Sequence, residues 1–269
     1  MIDDANIELL VNDVLELYGY DFTDYSRASL KRRISRLCTL DHFPSFAELR
    51  HRVRHDPSYL KRFVEEVTVN VTEMFRDPVF YQALRNDVLP RLGTHPHIRI
   101  WHAGCSTGEE VYSLAILLKE ANLLSKSILY ATDLNPNALE KARAGIFPMS
   151  SMKQYSENYI AAGGREDFSS YYSANYDGVK FDEQLAKRMV FSAHNLVSDS
   201  SFNEFHLIIC RNVLIYFDKK LQDRVFDLFD RSLGMLSYLA LGSKETIKFS
   251  QINSRYRQVG KEKIWKKLK

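Results

Sequence analysis

Cysteine is scarce in this 269-residue chain: Cys38, Cys105 and Cys210 are an odd number, widely separated. That excludes a fully paired disulfide framework and metal-type cysteine spacing, and it fits a reducing cytosol. Long apolar runs are missing as well. No stretch approaches the roughly 20 residues of a membrane span, and the start "MIDDANIELL" carries acids where a secretory leader needs basic residues. The expectation is a soluble, cytoplasmic protein with no direct membrane insertion. Charge of one sign is not in excess either, since 37 Lys and Arg against 34 Asp and Glu leave only +3, too weak a bias to argue for nucleic acid. Several motifs are absent: a G-x-S-x-G nucleophile elbow, a G-x-G-x-x-G turn, a phosphate-loop lysine, and any His/Cys/Asp set at ligand spacing. No metal is expected. There is no internal repeat and no low-complexity tract.

What the chain does contain is enough apolar residue, 45%, to bury a full core. From Ile7 to about Val69 these residues fall at helical spacing, as in Ile7, Leu10, Val11, Val14 and later Leu60, Phe63, Val64, Val67, which predicts a small helical bundle. Within it "SRASLKRRISRL" sets Arg27, Lys31, Arg32, Arg33 and Arg36 around a helix whose Leu30, Ile34 and Leu37 face inward; taken alone, this is an ordinary solvated face. After Pro78 the pattern changes. A helix to about Leu92 is followed by the strand "IRIWHAG", the helix "EEVYSLAILLKEANLL", the strand "SILYATD" and the helix "PNALEKARAG". A polar, tyrosine-rich insertion then precedes the strands "RMVFSAHN" and "FHLIICRN", the helix "KKLQDRVFDLFDRSLG" and the strand "LSYLALGS". "RYRQV" and "KIWKKL" suggest a closing antiparallel pair. Strands alternating with helices predict an α/β fold with a largely parallel, Rossmann-like sheet covered on both faces.

In such a sheet ligands sit beyond the carboxyl ends of the strands, and the informative residues follow strands here. "AGCSTGEE" places Gly104 and Gly108 in a strand-to-helix turn, where the backbone can approach a ligand. Glu109 and Glu110 open the next helix; their bland role is to satisfy its dipole, but they would repel a pyrophosphate and welcome a cationic amine. Asp133 ends the second strand, placed either to accept both hydroxyls of a ribose or to cap the helix after it. Asn195 in "HNL" offers an amide to an adenine edge. Together these describe S-adenosyl-L-methionine better than NAD. "LIICRNVLIYF" puts Arg211 and Asn212 directly after an apolar strand, where buried polar groups need partners. Tyr216 follows, with core packing as its bland role. This segment lacks the Asn/Asp-Pro-Pro-aromatic box of nucleic-acid amino-methyltransferases, so methylation of bases is disfavoured. Ahead of the sheet, "VNVTEMFRDPVFY" groups Asn70, Thr72 and Arg76 in an apolar join; Asp77 before Pro78 is placed to cap the next helix.

"TVNVTEMFRDPVFY", "RIWHAGCSTGEEVYSLAILL", "ATDLNPNALEKARAGIF" and "FHLIICRNVLIYFDKKLQ" resemble, in order and spacing, four blocks of the CheR-type chemoreceptor glutamate O-methyltransferases, over nearly the whole chain. The resemblance implies a class I S-adenosylmethionine methyltransferase domain at 70–269, with a connector at 70–78, last strands antiparallel and a small β-subdomain inserted at about 150–187. An all-α domain at 1–69 would precede it. Asn70, Thr72, Arg76, Gly104, Glu110, Asp133, Asn195, Leu196, Arg211 and Asn212 would bind the cofactor, S-adenosyl-L-methionine, whose product is S-adenosyl-L-homocysteine. Arg76 and Tyr216 would act at the reaction centre. In this context the face carrying Arg27, Lys31, Arg32, Arg33 and Arg36 becomes a dock for glutamate-rich chemoreceptor methylation helices. Two departures are visible. "LGSKETI" keeps Glu245 but has Lys244 near the place of a family histidine, with little expected effect on chemistry. The loop around "ANYDGVK" is short, which disfavours recruitment through a C-terminal receptor pentapeptide tether. The rival readings are a methyltransferase for another protein carboxylate and a non-catalytic cofactor-binding module.

Overall fold

The computed structural model describes residues 2–68, 71–175 and 178–269. Asn70 lies outside the described residues, as do Tyr176 and Asp177 of the short loop.

Four helices form the N-terminal bundle: α1 (Asp4–Tyr18), α2 (Arg27–Leu40), α3 (Phe46–His55) and α4 (Pro57–Val67). Their ends follow local chemistry. Asp3 accepts the Asn6 N–H, Ser45 the Glu48 N–H, and Asp56 caps α4 ahead of Pro57. The apolar residues read from the sequence bury against one another, with Phe22 added from the α1–α2 loop, each contributing roughly 1.5–3 kcal/mol. Two buried acids are neutralised by arginines: Asp13 by Arg50 and Arg54, and Glu66 chiefly by Arg36.

The second unit starts with α5 (Pro78–Ala83), which widens into a π-helical stretch at Leu84–Val88 before α6 (Leu89–Leu92). Pro90 has no N–H for the preceding turn, and Leu89 N–H reaches back to Leu84 O instead. The strands are β1 (Ile98–Ala103), β2 (Ser127–Asp133), β3 (Ile146–Phe147), β4 (Tyr172–Asn175), β5 (Gly178–Phe181), β6 (Met189–Ala193), β7 (Phe205–Cys210), β8 (Leu233–Leu241), β9 (Tyr256–Gln258) and β10 (Ile264–Lys267). The helices between them are α7 (Glu109–Glu120), α8 (Pro136–Ala144), α9 (Met152–Ala161), α10 (Glu183–Ala186) and α11 (Lys219–Ser232).

Seven strands form one sheet in the order β6-β2-β1-β7-β8-β10-β9, parallel from β6 to β8 and antiparallel at β10 and β9. Strand order reverses between β1 and β7, so a crevice opens beyond their carboxyl ends. A separate sheet, β3-β5-β4, packs with α9 against α7, where Tyr112 meets Phe147 and Phe181. Its first strand precedes residue 150, because Ile146–Phe147 pairs with Val179 and Lys180. α11 passes directly into β8, which begins three residues ahead of the "LSYLALGS" pattern. A bulge after Phe205 and Leu236 at φ 64° absorb the mismatch.

The bundle docks through its α1–α2 loop. Tyr25 pairs with Phe217 in a single β-bridge, Ser26 N–H donates to Tyr216 O at 2.8 Å, and Asp24 binds Arg224 at 3.0 Å.

Candidate active site

The crevice at the β1–β7 reversal is a cleft of about 990 Å³, open mouth included, closed on one side by the helical bundle.

The connector forms one wall. Phe75 is fully buried at φ 53°, and its N–H is held by Ser113 Oγ at 3.0 Å; Asp77 follows at φ 58°. Left-handed conformations at two non-glycine residues on either side of Arg76 are strained, and they set Arg76 on the cleft lining, with Nη1 donating to Val71 O at 3.3 Å. Thr72 lines the same wall. The expectation that Asp77 caps α5 through its side chain is corrected: in the left-handed region its carboxylate turns away from the helix amides and accepts Arg211 Nη2 at 2.6 Å.

The turn after β1 forms the floor. Gly104 sits at φ 82°, and a Cβ there would come within 2.5 Å of Val213 Cγ2, so only glycine fits. Glu110, on the first turn of α7, does more than satisfy a helix dipole. Its Oε1 meets His102 Nδ1 at 3.0 Å and its Oε2 meets Arg211 Nη1 at 3.4 Å. Burial pushes its carboxyl up, but His102 and Arg211 together outweigh burial and hold it below the ordinary value. Glu109 differs: it is buried beside Thr107 and Tyr155, away from the cleft lining, and burial pushes its carboxyl up.

Asp133 does not cap α8. Asn135 does, accepting the Asn137 and Ala138 amides. The Asp133 oxygens accept backbone N–H groups, Ser106 on Oδ2 at 2.8 Å and Asn135 on Oδ1 at 2.9 Å, while burial raises its carboxyl above the ordinary value. Both oxygens keep acceptor capacity for a vicinal diol. Asn195 and Leu196 line the cleft beyond β6; Asn195 Oδ1 takes the Val197 N–H at 2.9 Å, which leaves its NH₂ as the available donor.

Beyond β7, Arg211 is almost enclosed. It binds Asp77, the Arg76 carbonyl and Glu110, and stacks 4.1 Å over Phe80. Asn212 lies at φ 61°, and Tyr216 ends the short turn Leu214–Tyr216; both line the cleft. Glu245 organises this corner. Its carboxylate accepts four backbone amides, Asn212 at 3.1 Å, Val213 at 3.0 Å, Leu214 at 2.8 Å and Gly242 at 2.6 Å. Burial pushes that carboxyl up and the four amides pull it back.

Apart from Asn70, every residue expected at the cofactor site or reaction centre lines this one cleft. Sequence reasoning missed the bundle's contribution of Tyr25 and Thr68, for which the sequence carries no signal, because a docking loop shows no pattern. It also missed His102, whose place two residues before Gly104 on an inward strand was a usable signal. The basic face of α2 is smaller than expected. Arg36 is drawn to buried Glu66, and Arg27 and Arg33 are partly buried, since the neighbouring helices reach around that side. Lys31 and Arg32 are exposed and in no ion pair among the described residues.

The strand order and this cleft define a class I S-adenosylmethionine-dependent methyltransferase. The family model described as "CheR methyltransferase, SAM binding domain" matches residues 70–264, and "CheR methyltransferase, all-alpha domain" matches residues 5–68. The chain belongs to the CheR methyltransferase family. A Pseudomonas putida protein named as methyltransferase Cher3 is 47% identical over 98% of this chain and 97% of its own length. The chemotaxis protein methyltransferase of Listeria innocua is 31% identical, over 85% of each chain. That of Salmonella typhimurium is 29% identical over 85% of this chain and 79% of its own.

The donor set fits S-adenosyl-L-methionine. Glu110 suits its ammonium group, Asp133 the ribose diol, and the Asn195 amide with Leu196 the adenine. No helix among the described residues is long and apolar enough to cross a membrane, and none of their His, Cys, Asp and Glu side chains cluster as a metal site.

Proposed function

We propose that the protein methylates glutamate side-chain carboxylates of chemoreceptors, giving glutamyl methyl esters as part of chemotaxis-type adaptation in the cytoplasm. One observation carries the reading. Of the two arginines in the cleft, Arg211 is neutralised by Asp77 and Glu110, whereas Arg76 has no acidic partner among the described residues and spends one N–H on a backbone carbonyl. An uncompensated guanidinium in a cleft that Tyr216 also lines suits an anionic substrate.

Bound S-adenosyl-L-methionine supplies an electrophilic sulfonium methyl. An ordinary glutamate, with a pKa of about 4.3, is already ionised at neutral pH, so the chain needs no general base and its task is placement. Arg76 orients the carboxylate by a charge-assisted hydrogen bond, and the Tyr216 hydroxyl fixes the second oxygen. Holding the attacking oxygen at about 3–3.5 Å and in line accounts for several kcal/mol of rate enhancement. Glu110, itself held by His102 and Arg211, fixes the amino-acid end of the cofactor, and Asp133 the ribose.

The reading divides the chain into 1–69 and 70–269, with the connector at 70–78 serving as hinge and cleft wall and an inserted subdomain at about 150–187. Lys31 and Arg32 are the part of α2 that faces a glutamate-rich helix. The shortness of the 174–180 loop favours recruitment without a pentapeptide tether.

The test is methyl transfer to a chemoreceptor cytoplasmic fragment by Arg76→Ala and Tyr216→Phe. The expected result is lower kcat in both, with affinity for S-adenosyl-L-homocysteine unchanged in Tyr216→Phe and, because Arg76 is also expected at the cofactor, reduced far less than kcat in Arg76→Ala. Full transfer by both variants removes the reaction-centre assignment.

A further inference from the structure

The turn Leu214–Tyr216 has two sides. Tyr216 lines the cofactor cleft, while Leu214 and Ile215 line a second hollow of about 940 Å³, open mouth included. The far wall of that hollow is the loop after β8, carrying Lys244, Thr246 and Phe249. Phe249 is 81% exposed and Ile215 40%. A scattered exposed apolar residue is ordinary, but these two face one concavity. Its rim is basic. Of the lysines that line the hollow, Lys219 is paired with Asp223 while Lys244 is exposed and in no ion pair among the described residues; Lys248, next to Phe249 in the chain, is likewise exposed and unpaired among them. The acids nearby are engaged: Asp218 accepts the Leu221 N–H at 2.8 Å and Asp223 holds Lys219 at 2.6 Å. Glu245 lies buried beneath, on backbone amides.

We propose that this groove seats the helix bearing the substrate carboxylate, as an amphipathic acidic helix whose apolar stripe covers Phe249 and Ile215 and whose acids meet Lys244 and Lys248. The inference rests on the reading of the protein as a chemoreceptor methyltransferase and names how the substrate is held. Charge and position carry it. The groove sets the apolar Ile215 and Phe249 beside the unpaired Lys244, which an acidic amphipathic helix complements. Ile215 and Tyr216 are consecutive, so a helix resting on Ile215 has a glutamate one turn away, about 5.4 Å along its axis, at the lip of the catalytic cleft. The α1–α2 loop is bound to the same turn through Ser26 and Tyr25. α2, which carries the exposed Lys31 and Arg32, begins at that loop.

The experiment compares wild type with Phe249→Ser and with Lys244→Glu/Lys248→Glu, all exposed side chains that do not line the cofactor cleft. Two readouts use a chemoreceptor cytoplasmic methylation-helix fragment: steady-state methyl transfer, and fluorescence anisotropy of the labelled fragment in the presence of S-adenosyl-L-homocysteine. Each variant is expected to raise KM and the anisotropy Kd by about tenfold while leaving kcat, cofactor affinity and melting temperature unchanged. Unchanged KM and unchanged anisotropy Kd overturn the proposal. If wild type binds the fragment but transfers no methyl, the functional reading fails, and the anisotropy series still decides the groove. If sedimentation shows a dimer that Phe249→Ser disperses with KM unaltered, the groove belongs to a second copy of the chain and the proposal is overturned.

Discussion

Replacing Glu245 by alanine removes one carboxylate that accepts the N–H groups of Asn212, Val213, Leu214 and Gly242. The residue is only 5% exposed, so water does not readily take its place. A buried amide left without a partner costs about 1–3 kcal/mol, and four at the low end come to about 4 kcal/mol, a large fraction of the roughly 5–15 kcal/mol that holds a domain together. For a unit of this size each kcal/mol moves the melting temperature by about 2–4 °C, so Glu245→Ala is expected to melt about 10 °C below wild type. Glu245→Gln keeps one acceptor oxygen and turns an NH₂ toward two amides; it should fall about half as far. Because Asn212 and Tyr216 hang from the same anchored turn, cofactor affinity should weaken in both variants at temperatures where each is folded. Circular-dichroism melts and calorimetric titration with S-adenosyl-L-homocysteine read these effects. An alanine variant melting within about 2 °C of wild type, with cofactor affinity intact, would refute the claim that this carboxylate organises the corner.

Gly104→Ala places a Cβ 2.5 Å from Val213 Cγ2 at φ 82°; titration should show cofactor affinity reduced about tenfold, with a stability loss of about 1–3 kcal/mol. The side chain of Glu120 is 2% exposed and held by Arg85, Tyr159 and Tyr171; removing its charge in Glu120→Gln should cost about 3–5 kcal/mol at neutral pH. Burial pushes that carboxyl up, but Tyr159 and Arg85 outweigh it and hold it below 4.5. Its contribution is therefore present above pH 4.5 and lost as the pH falls through the lower folded value. The melting gap between wild type and Glu120→Gln should shrink on acidification. Lys31→Glu/Arg32→Glu should raise KM for a receptor fragment and flatten its salt dependence at unchanged stability. Arg36→Glu should instead destabilise the bundle, since Arg36 compensates Glu66.

Periodicity and turn residues made most of the architecture legible. Ser127–Asp133 and Pro136–Ala144 stand where the strand and helix patterns placed them, because apolar alternation and a proline at the first helical turn are local signals. The site was legible to the extent that its residues follow strands: Gly104, Asp133, Asn195 and Arg211 could be picked out by position alone. What stayed hidden depends on tertiary contact. Asp77 looks like a cap in sequence, yet its positive φ sends it to Arg211. Asp133 is placed in sequence to cap the helix after it, yet Asn135, two residues on, caps α8 while Asp133 accepts the Ser106 N–H from the turn after β1. Glu245 gave no hint of binding amides more than thirty residues upstream, and the five-residue basic face of α2 could not disclose that Glu66 lies under Arg36.

The central claim is carboxylate methylation directed by Arg76 and Tyr216. Purified protein incubated with methyl-labelled S-adenosyl-L-methionine and a chemoreceptor cytoplasmic fragment should yield base-labile label on glutamate, with Tyr216→Phe binding cofactor normally and Arg76→Ala still binding it, both losing transfer. Intact cofactor binding without base-labile glutamate label in the wild type would contradict it.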